Sequence, residues 1–382
     1  MMQNGNEPGL TNKPHVLFVA NRTLGWNTYS QQLAGQLTPR DDINTSVLWR
    51  RPHRVSTLPV KRHDVADSAR LYRRIDPITA YRGWLGRAIR REIQHHAPDV
   101  VHFGAHWPAA AYGWQDGLVP FTLALDCTMA DMNKALPRPV WSDAEIEAEA
   151  ELLRRAARVF PMSTWTARSV IEDAKVPEHR VKVIPPSIDL SVFRASVTMA
   201  VIPNIIFIGN DFARKGGDRL VKWVTGPLAG LCHLHIVSTD PNARVQNQNV
   251  TFHGKVPHDV LCSDLLPGMD LMCLPTWIDM SPHVLVEAAA AGIPAIASDI
   301  GGIADIVLHE RTGLLCAPGD DKAFVTAIRR LIEDHEVHAQ MQVEATRHAV
   351  ATFDGTVNFG LLADELATLA TVSQRNRQAG EA

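Results

Sequence analysis

The sequence predicts an α/β protein built from two doubly wound units. Three observations carry this. First, a short apolar run, His15 to Ala20 (HVLFVA), passes through a turn holding Asn21, Gly25, Asn27 and Thr28 into a helix near Ser30 to Leu37. Second, the same strand, glycine-bearing loop and helix return from Ile205 in IIFIGNDFARKGGDRL. Third, short apolar runs alternate with helical stretches along most of the chain, the pattern of a parallel sheet covered by helices. At 382 residues there is enough chain for two domains that each bury a core.

The first unit then unfolds in order. Its opening turn lacks G-x-G-x-x-G, so it carries little evidence for a dinucleotide site. Residues 50 to 91 hold 12 Lys and Arg against 3 acidic residues. Within them Arg87, Arg90 and Arg91 fall at helical spacing beside Trp84, Leu85 and Ile89. Such a basic amphipathic helix suits an anionic membrane surface or an anionic acceptor. It equally suits a solvated helix face with Trp84 in the core. No nucleic-acid-binding motif accompanies it, and the chain as a whole is acidic, with a net charge of −3.

Asp99 to Phe103 and Phe121 to Leu125 read as the next strands, the second ending in Asp126-Cys127-Thr128. Ligands of open α/β sheets sit beyond the carboxyl ends of strands. His102, His106, Asp126 and Thr128 are therefore candidates for a cleft wall, though a lone His at such a place is more often structural. Ser142 to Ala157 has a cap, acids in its first turn and bases in its last, which specify a helix. Val159 to Met162 is a strand, followed by a helix to Ala174, and Val181 to Ile184 is expected as a strand.

The second unit is organised around LMCLPTWIDMSPHVLVEAAAAGIPAIASDIGG, residues 271 to 302. Leu271 to Leu274 reads as a buried strand that Pro275 stops. Ser281 suits a helix N-cap and Pro282 the first helical position. Gly292 and Pro294 end that helix, Ala295 to Ser298 forms a second strand, and Gly301-Gly302 follows. A helix N-terminus beside glycines is what an anion needs, because unpaired N–H groups point outward and the backbone can approach closely. Glu287 lies about one and a half turns into the helix. From there its carboxylate could take two hydrogen bonds from a diol such as a ribose; the plainer reading is a solvated Glu on a core helix. Arg214 and Lys215, in the loop from Gly209 to Gly217, are cations suited to a diphosphate, or else a solvated pair. His233 and His235 share a strand face, but no third ligand lies near in sequence, so no metal is expected. Helices at 321 to 333, 336 to 351 and 357 to 372 follow, and the polar stretch after Ser373 is expected to be mobile.

Composition narrows the class. No apolar run reaches a membrane span, and MMQNGNEPGLTNKPH has no signal-type h-region. Five cysteines (127, 232, 262, 273 and 316) form no C-x-x-C pair, so reduced thiols and a cytoplasmic setting are expected. Residues 1 to 195 carry 25 basic against 20 acidic residues, and residues 196 to 382 carry 13 against 21. The two halves thus differ in sign, with the basic segment open to a peripheral place on the inner face of a membrane.

These residues also resemble something known. Asp279, seven residues, then Glu287 is similar to the E-x7-E element of retaining glycosyltransferases of the GT-B fold, family 4. Asp279-Met280-Ser281-Pro282 resembles that family's frequent Glu-Asn-Ser-Pro, GGIAD (Gly301 to Asp305) its Gly-Gly-x-x-Glu, and R-K-G-G-D from Arg214 its phosphate loop. Ile188, Asp189 and Phe193 fit its I-D-x-x-x-F, and residues 249 to 261 and 311 to 320 its flanking turns. Departures are Asp279 and Asp305 for Glu, Asn210 where a basic residue is frequent, and Asp126 where His is frequent. The likeness spans most of residues 15 to 370, strongest from 180 to 320 and weakest from 40 to 145.

The resemblance implies two Rossmann-like domains facing a cleft, with a last helix crossing back to the first. The boundaries expected are 1–196 for the acceptor-side domain, 197–355 for the nucleotide-sugar domain, and 356–382 for the crossover helix and tail. It implies a hexosyltransferase-type enzyme that moves a sugar from a nucleotide-diphosphate sugar to a hydroxyl acceptor with retention. Asp279, Glu287, Lys215, Arg214 and Asp126 would serve the chemistry. Gly209, Asn210, Met280, Ser281, Pro282, Val284 and Gly25 would bind the donor. No metal and no cofactor beyond the donor would be needed, since the cations already face the diphosphate. Three alternatives stay open at this point. One is a nucleotide-sugar-binding protein of the same fold with weak or absent catalysis, motivated by the shorter Asp279. The others are a hydrolase using Asp279 and Glu287 as acid and base, and a phosphorylase or epimerase of the same fold.

Overall fold

The computed structural model describes residues 13–21, 26–50, 77–112, 119–194 and 199–380. Gly25 and residues 51–76 of the basic segment lie outside the described residues.

The first unit runs β1 (His15–Asn21), α1 (Trp26–Leu37), β2 (Asn44–Arg50), α2 (Pro77–His96), β3 (Val100–Phe103), α3 (His106–Tyr112), β4 (Phe121–Leu125), α4 (Met129–Ala135), α5 (Asp143–Arg155), β5 (Arg158–Pro161) and α6 (Thr164–Glu172). Its five strands are all parallel, in the order β2-β1-β3-β4-β5. The strands are apolar because both sheet faces are covered; Leu17, Phe18, Val101 and Leu123 are fully buried.

The second unit runs β6 (Asn204–Ile208), α7 (Gly217–Thr225), β7 (His233–Val237), β8 (Val250–Gly254), α8 (His258–Val260), β9 (Leu271–Leu274), α9 (His283–Ala290), β10 (Ala295–Ser298), α10 (Ile303–Ile306), β11 (Gly313–Cys316), α11 (Asp321–Glu333) and α12 (His335–Thr352). Its six strands are also parallel, ordered β11-β10-β9-β6-β7-β8. Strand order reverses between β6 and β9, which puts the loops after those two strands side by side at the sheet's carboxyl edge. One continuous core holds this unit, with Phe207, Leu234, Met272, Ile296 and Phe324 fully buried.

A last helix, α13 (Gly355–Gly380), returns to the first unit. Phe359, Leu362 and Leu366 pack among Val16, Phe18, Tyr29 and Leu33, with the Phe359 and Tyr29 rings edge to face at 5.2 Å. The expected mobile tail after Ser373 is instead the end of this helix. Arg377 pairs with the Asp99 carboxylate, whose other oxygen accepts the His15 N–H at 2.9 Å, and this anchors the polar stretch to β1.

Other differences are local. α1 begins at Trp26, earlier than the expected Ser30, whose Oγ accepts the Asn21 N–H at 2.9 Å and ties the helix to the end of β1. Residues 181–184 form only a bridge, Val159 to Val181, although the Lys182 and Ile184 N–H groups bond to Val159 and Pro161. The prolines at 185 and 186 offer no further N–H to extend the ladder. The α5 helix has the expected cap in full, with Ser142 and Glu145 satisfying each other's backbone N–H groups.

Candidate active site

The site is built by the two loops that the strand order brings together. After β6 the chain passes Gly209 and Asn210 to Arg214 and Lys215. After β9 it passes Thr276 to Pro282. The loops are tied: the Trp277 N–H donates to Arg214 O at 2.9 Å. Gly216 makes the approach possible. Its φ is +77°, and a Cβ there would sit 2.1 Å from Pro275 O. A third loop packs behind. Gly301, at φ +61°, would place a Cβ 2.4 Å from Asp279 O, and the Gly302 N–H donates to Met280 O at 2.7 Å.

This packing fixes Asp279 at the mouth of α9. Lys215 Nζ lies 3.0 Å from Asp279 Oδ2 and the Arg214 guanidinium 4.0 Å. Burial pushes the Asp279 carboxyl up, but Lys215 and Arg214 outweigh it and hold it below the usual carboxylate range. Arg214 is itself oriented by Asp211, at 3.0 Å, and by Ile278 O. A Cβ on Gly209 would meet the Lys215 stem at 2.6 Å, so the glycine leaves room for that lysine to lie along the loop. Glu287 is buried on the second turn of α9.

The helix start differs from the expected one by a residue. Pro282 is the N-cap, and the helix begins at His283 with no side-chain cap. A proline lacks the N–H but fits the extended cap conformation found here, φ −71° and ψ 110°. Ser281 is thereby freed from capping. Its Oγ is buried and has no hydrogen-bond partner among the described residues, and the same holds for His283 Nδ1. Burial holds His283 below its usual pKa despite the nearby Glu287 and Asp279. Two polar atoms without a partner among the described residues, beside a helix N-terminus and two cations, fit a polyanionic ligand. Val284 lies on the first turn of the same helix, half-buried. The Met280 N–H meets Asp279 Oδ1 at 3.2 Å. Asn210 is placed otherwise than its neighbours: its Oδ1 accepts the Thr239 N–H at 3.0 Å and braces the loop after β7.

The first unit supplies the facing wall. Asp126, at the end of β4, is raised to about 6 by burial, with the Asp279 charge adding to it. Asp126 and Asp279 are thus close enough to feel each other across the cleft. Around them Cys127, Leu136 and Val140 of the first unit pack on Ile278 and Met280 of the second. Asp305 spans the same junction, accepting from the Thr164 N–H and, at 2.7 Å, the Thr164 hydroxyl at the start of α6. His102 is not a cleft residue. It is fully buried between Tyr29 OH (2.9 Å) and Thr122 Oγ1 (2.8 Å), and burial lowers it to about 3. His106 lies 3.4 Å from Glu149, and burial lowers it to about 4. Glu149 accepts the Met129 N–H at 2.7 Å, and burial raises it to about 8. Thr128 caps α4.

His233, His235 and His253 gather on one sheet face, with His235 Nδ1 2.9 Å from His253 Nε2. Among the described residues no group of His, Cys, Asp or Glu is arranged to hold a metal ion. One residue of the site escaped the sequence. His258, on α8, reaches Glu287 Oε1 at 3.1 Å. The only local sign was Pro257-His258-Asp259, an ordinary helix start.

Two all-parallel α/β units that close a cleft, joined by a returning helix, define the GT-B class of glycosyltransferases. The family description "Glycosyltransferase Family 4" matches residues 25–192, and "Glycosyl transferases group 1" matches residues 202–334. The chain belongs to this group 1, family 4 set of glycosyltransferases. It is similar to the D-inositol 3-phosphate glycosyltransferase of Nocardia farcinica, 26% identical over 286 residues, covering 66% of this chain and 62% of that protein. It is also similar to the glycogen synthase of Mycobacterium tuberculosis, 35% identical over 101 residues, 26% of this chain and 24% of that one. The match thus spans less than two thirds of either relative. Among solved structures, sucrose-phosphate synthase from Thermosynechococcus elongatus superposes with a TM-score of 0.74 at 18% identity, covering 94% of this chain and 100% of that one. HepE from Anabaena, in complex with UDP and glucose, does so at 0.64 and 16%, covering 93% and 100%.

Proposed function

We propose that this chain is a retaining, metal-independent hexosyltransferase. It moves a sugar from a nucleotide-diphosphate sugar to a hydroxyl acceptor. The observation that carries the reading is the Lys215–Asp279 contact of 3.0 Å at the mouth of the helix that buries Glu287. Lys215, Arg214, the Ser281 hydroxyl and the start of α9 hold the diphosphate, Glu287 takes the ribose diol, and Asp279 takes sugar hydroxyls. The domain from residue 197 binds the donor, and the one ending at 196 presents the acceptor.

The difficult step is separating the sugar from a phosphate that becomes more negative as the bond breaks. Fixed cations and helix N–H groups stabilise that charge without reorganising, most effectively where water is excluded. The bond between the sugar's anomeric carbon and the phosphate oxygen breaks, and the acceptor oxygen bonds that carbon on the same face. The acceptor's proton passes to the departing phosphate. Asp126, across from Asp279, orients the acceptor hydroxyl. The two cations offset a diphosphate's charge, so no divalent ion is needed. Asp279 still reaches Lys215 despite being a methylene shorter than Glu, which speaks against a protein that only binds the donor.

A thermal-shift panel of UDP, GDP, ADP and dTDP and their common sugars, with Mg²⁺ or with EDTA, tests this. A ligand at 100 times its Kd stabilises by about 2.7 kcal/mol. One base should be preferred, the shift should persist in EDTA, and Glu287→Ala and Lys215→Ala should remove it. No shift with any nucleotide overturns the reading.

For the basic segment a peripheral contact with an anionic membrane, on its cytoplasmic side, is proposed. α2 exposes Arg87, Arg90 and Arg91 while burying Ile89, and no described helix is long and apolar enough to cross a membrane. The protein should pellet with anionic liposomes at low salt and be released at high salt. Equal recovery with neutral liposomes removes this contact and leaves an anionic soluble acceptor or a plain surface.

A further inference from the structure

Glu287 does not stand alone. His258 approaches it from α8, 29 residues earlier in the chain, and its Nε2–H donates to Glu287 Oε1 at 3.1 Å. The imidazole is held on two other sides. Cys262 Sγ, one turn along, lies 3.6 Å from Nε2 and 3.8 Å from Nδ1. The Phe193 ring, from the stretch leading out of the first unit, stands edge-on at 6.5 Å. Contacts with Cys262 and Glu287 raise His258 to about 10, so the ring carries its proton and its charge at neutral pH. Only Oε1 of the carboxylate is engaged; Oε2 has no hydrogen bond among the described residues.

A glutamate side chain has three rotatable bonds, and a carboxylate that must receive two hydroxyls in one geometry gains from being fixed beforehand. We propose that His258 is a positioning residue of the donor site: by holding Glu287 Oε1 it aims the carboxylate at a cis-diol, and so makes the site select ribonucleoside over 2′-deoxyribonucleoside diphosphates. The proposal rests on Glu287 being the diol ligand. The contrary arrangement is also chemically definite. If His258 occupied the place of the ribose, its removal would strengthen binding.

Calorimetric titration of the full chain separates these. UDP, GDP and ADP are each paired with their 2′-deoxy counterparts, against wild type, His258→Ala, His258→Gln and Glu287→Ala. Wild type should prefer the ribose form of its best nucleotide by about tenfold or more. His258→Ala should lose at least threefold of that preference, through the ribose form, while the Kd of the 2′-deoxy form stays within twofold. His258→Gln, whose amide N–H can stand in for Nε2–H, should restore it. His258→Asn, too short to reach, replaces the alanine variant if that one does not fold. Full preference in His258→Ala, or tighter binding of the ribose form, overturns the proposal. A wild type without preference, or Glu287→Ala that retains it, overturns the diol reading itself. Failure of all three ribonucleotides to bind overturns the inference, and failure of dTDP as well removes the donor site.

Discussion

Replacing Gly301 by alanine tests whether the glycine pair sets the position of Asp279. Two costs follow from the geometry. The residue sits at φ +61°, where an L side chain is strained by about 1–2 kcal/mol. For a chain of this size, with an unfolding entropy of about 2.1 cal/mol/K per residue, that lowers Tm by roughly 1–3 °C. The second cost is displacement. The new Cβ would lie 2.4 Å from Asp279 O, with Met280 Cα at 3.1 Å, and both neighbours are backbone atoms with no rotamer to escape into. Ordinary contact begins about 1 Å further out, so the Asp279–Met280 segment must shift by roughly that much. A 1 Å misplacement of a catalytic group costs about 100-fold in rate. That corresponds to about 2.7 kcal/mol of transition-state stabilisation. The assay is release of nucleoside diphosphate in the presence of acceptor, with melting curves in parallel. Gly360→Ala, on α13 with nothing within 4 Å of the new methyl, is the control and should leave kcat/KM unchanged. A folded Gly301→Ala protein whose kcat/KM stays within threefold of wild type would refute the reasoning.

Two further outcomes follow. Glu149 has a folded pKa of about 8 against an ordinary 4.5, raised by burial, so the folded state keeps a proton that the unfolded chain loses between those values. Its contribution to stability is complete below pH 4.5 and is lost as pH rises toward 8. The stability of wild type relative to Glu149→Gln should therefore fall by about 1 kcal/mol per pH unit across pH 5.5–7.5 and level off above 8; a pH-independent difference in denaturant midpoints would contradict this. Asp305→Ala removes the carboxylate that receives the Thr164 N–H and hydroxyl across the domain junction. It should cost about 1–3 kcal/mol and expand the particle in solution scattering; unchanged stability and radius of gyration would show that the junction does not depend on it.

Strands and motif order were legible because they are local and repetitive. HVLFVA, FTLAL, NIIFI and LMCL are apolar runs bounded by turn residues, and all four appear as buried strands. The proximity of Asp279, Lys215 and Glu287 was legible through spacing and resemblance together. Less was legible where a residue's role depends on what lies opposite it. Ser30 looked like a helix start and is a tether to Asn21 inside the helix. Ser281 looked like a cap and lies one residue before it, its hydroxyl without a partner among the described residues. Val181 to Ile184 has a strand's composition but meets only one neighbour. The residues after Ser373 are polar, yet they continue the helix to Gly380, with Arg377 paired to Asp99. His258 was invisible because its partner lies on another element.

The returning helix also governs the order in which the chain can mature. Val16, Phe18 and Leu33 wait for Phe359, Leu362 and Leu366 to cover them. β5 ends at Pro161 and α13 begins at Gly355, so at 5–20 residues per second the ribosome needs about 10–40 s to supply the missing piece. Throughout that interval the part of this sheet face that α1 does not cover stays open. The second unit has no such debt, since its sheet and helices are contiguous from β6 to α12. It can become native while its predecessor still lacks part of its cover.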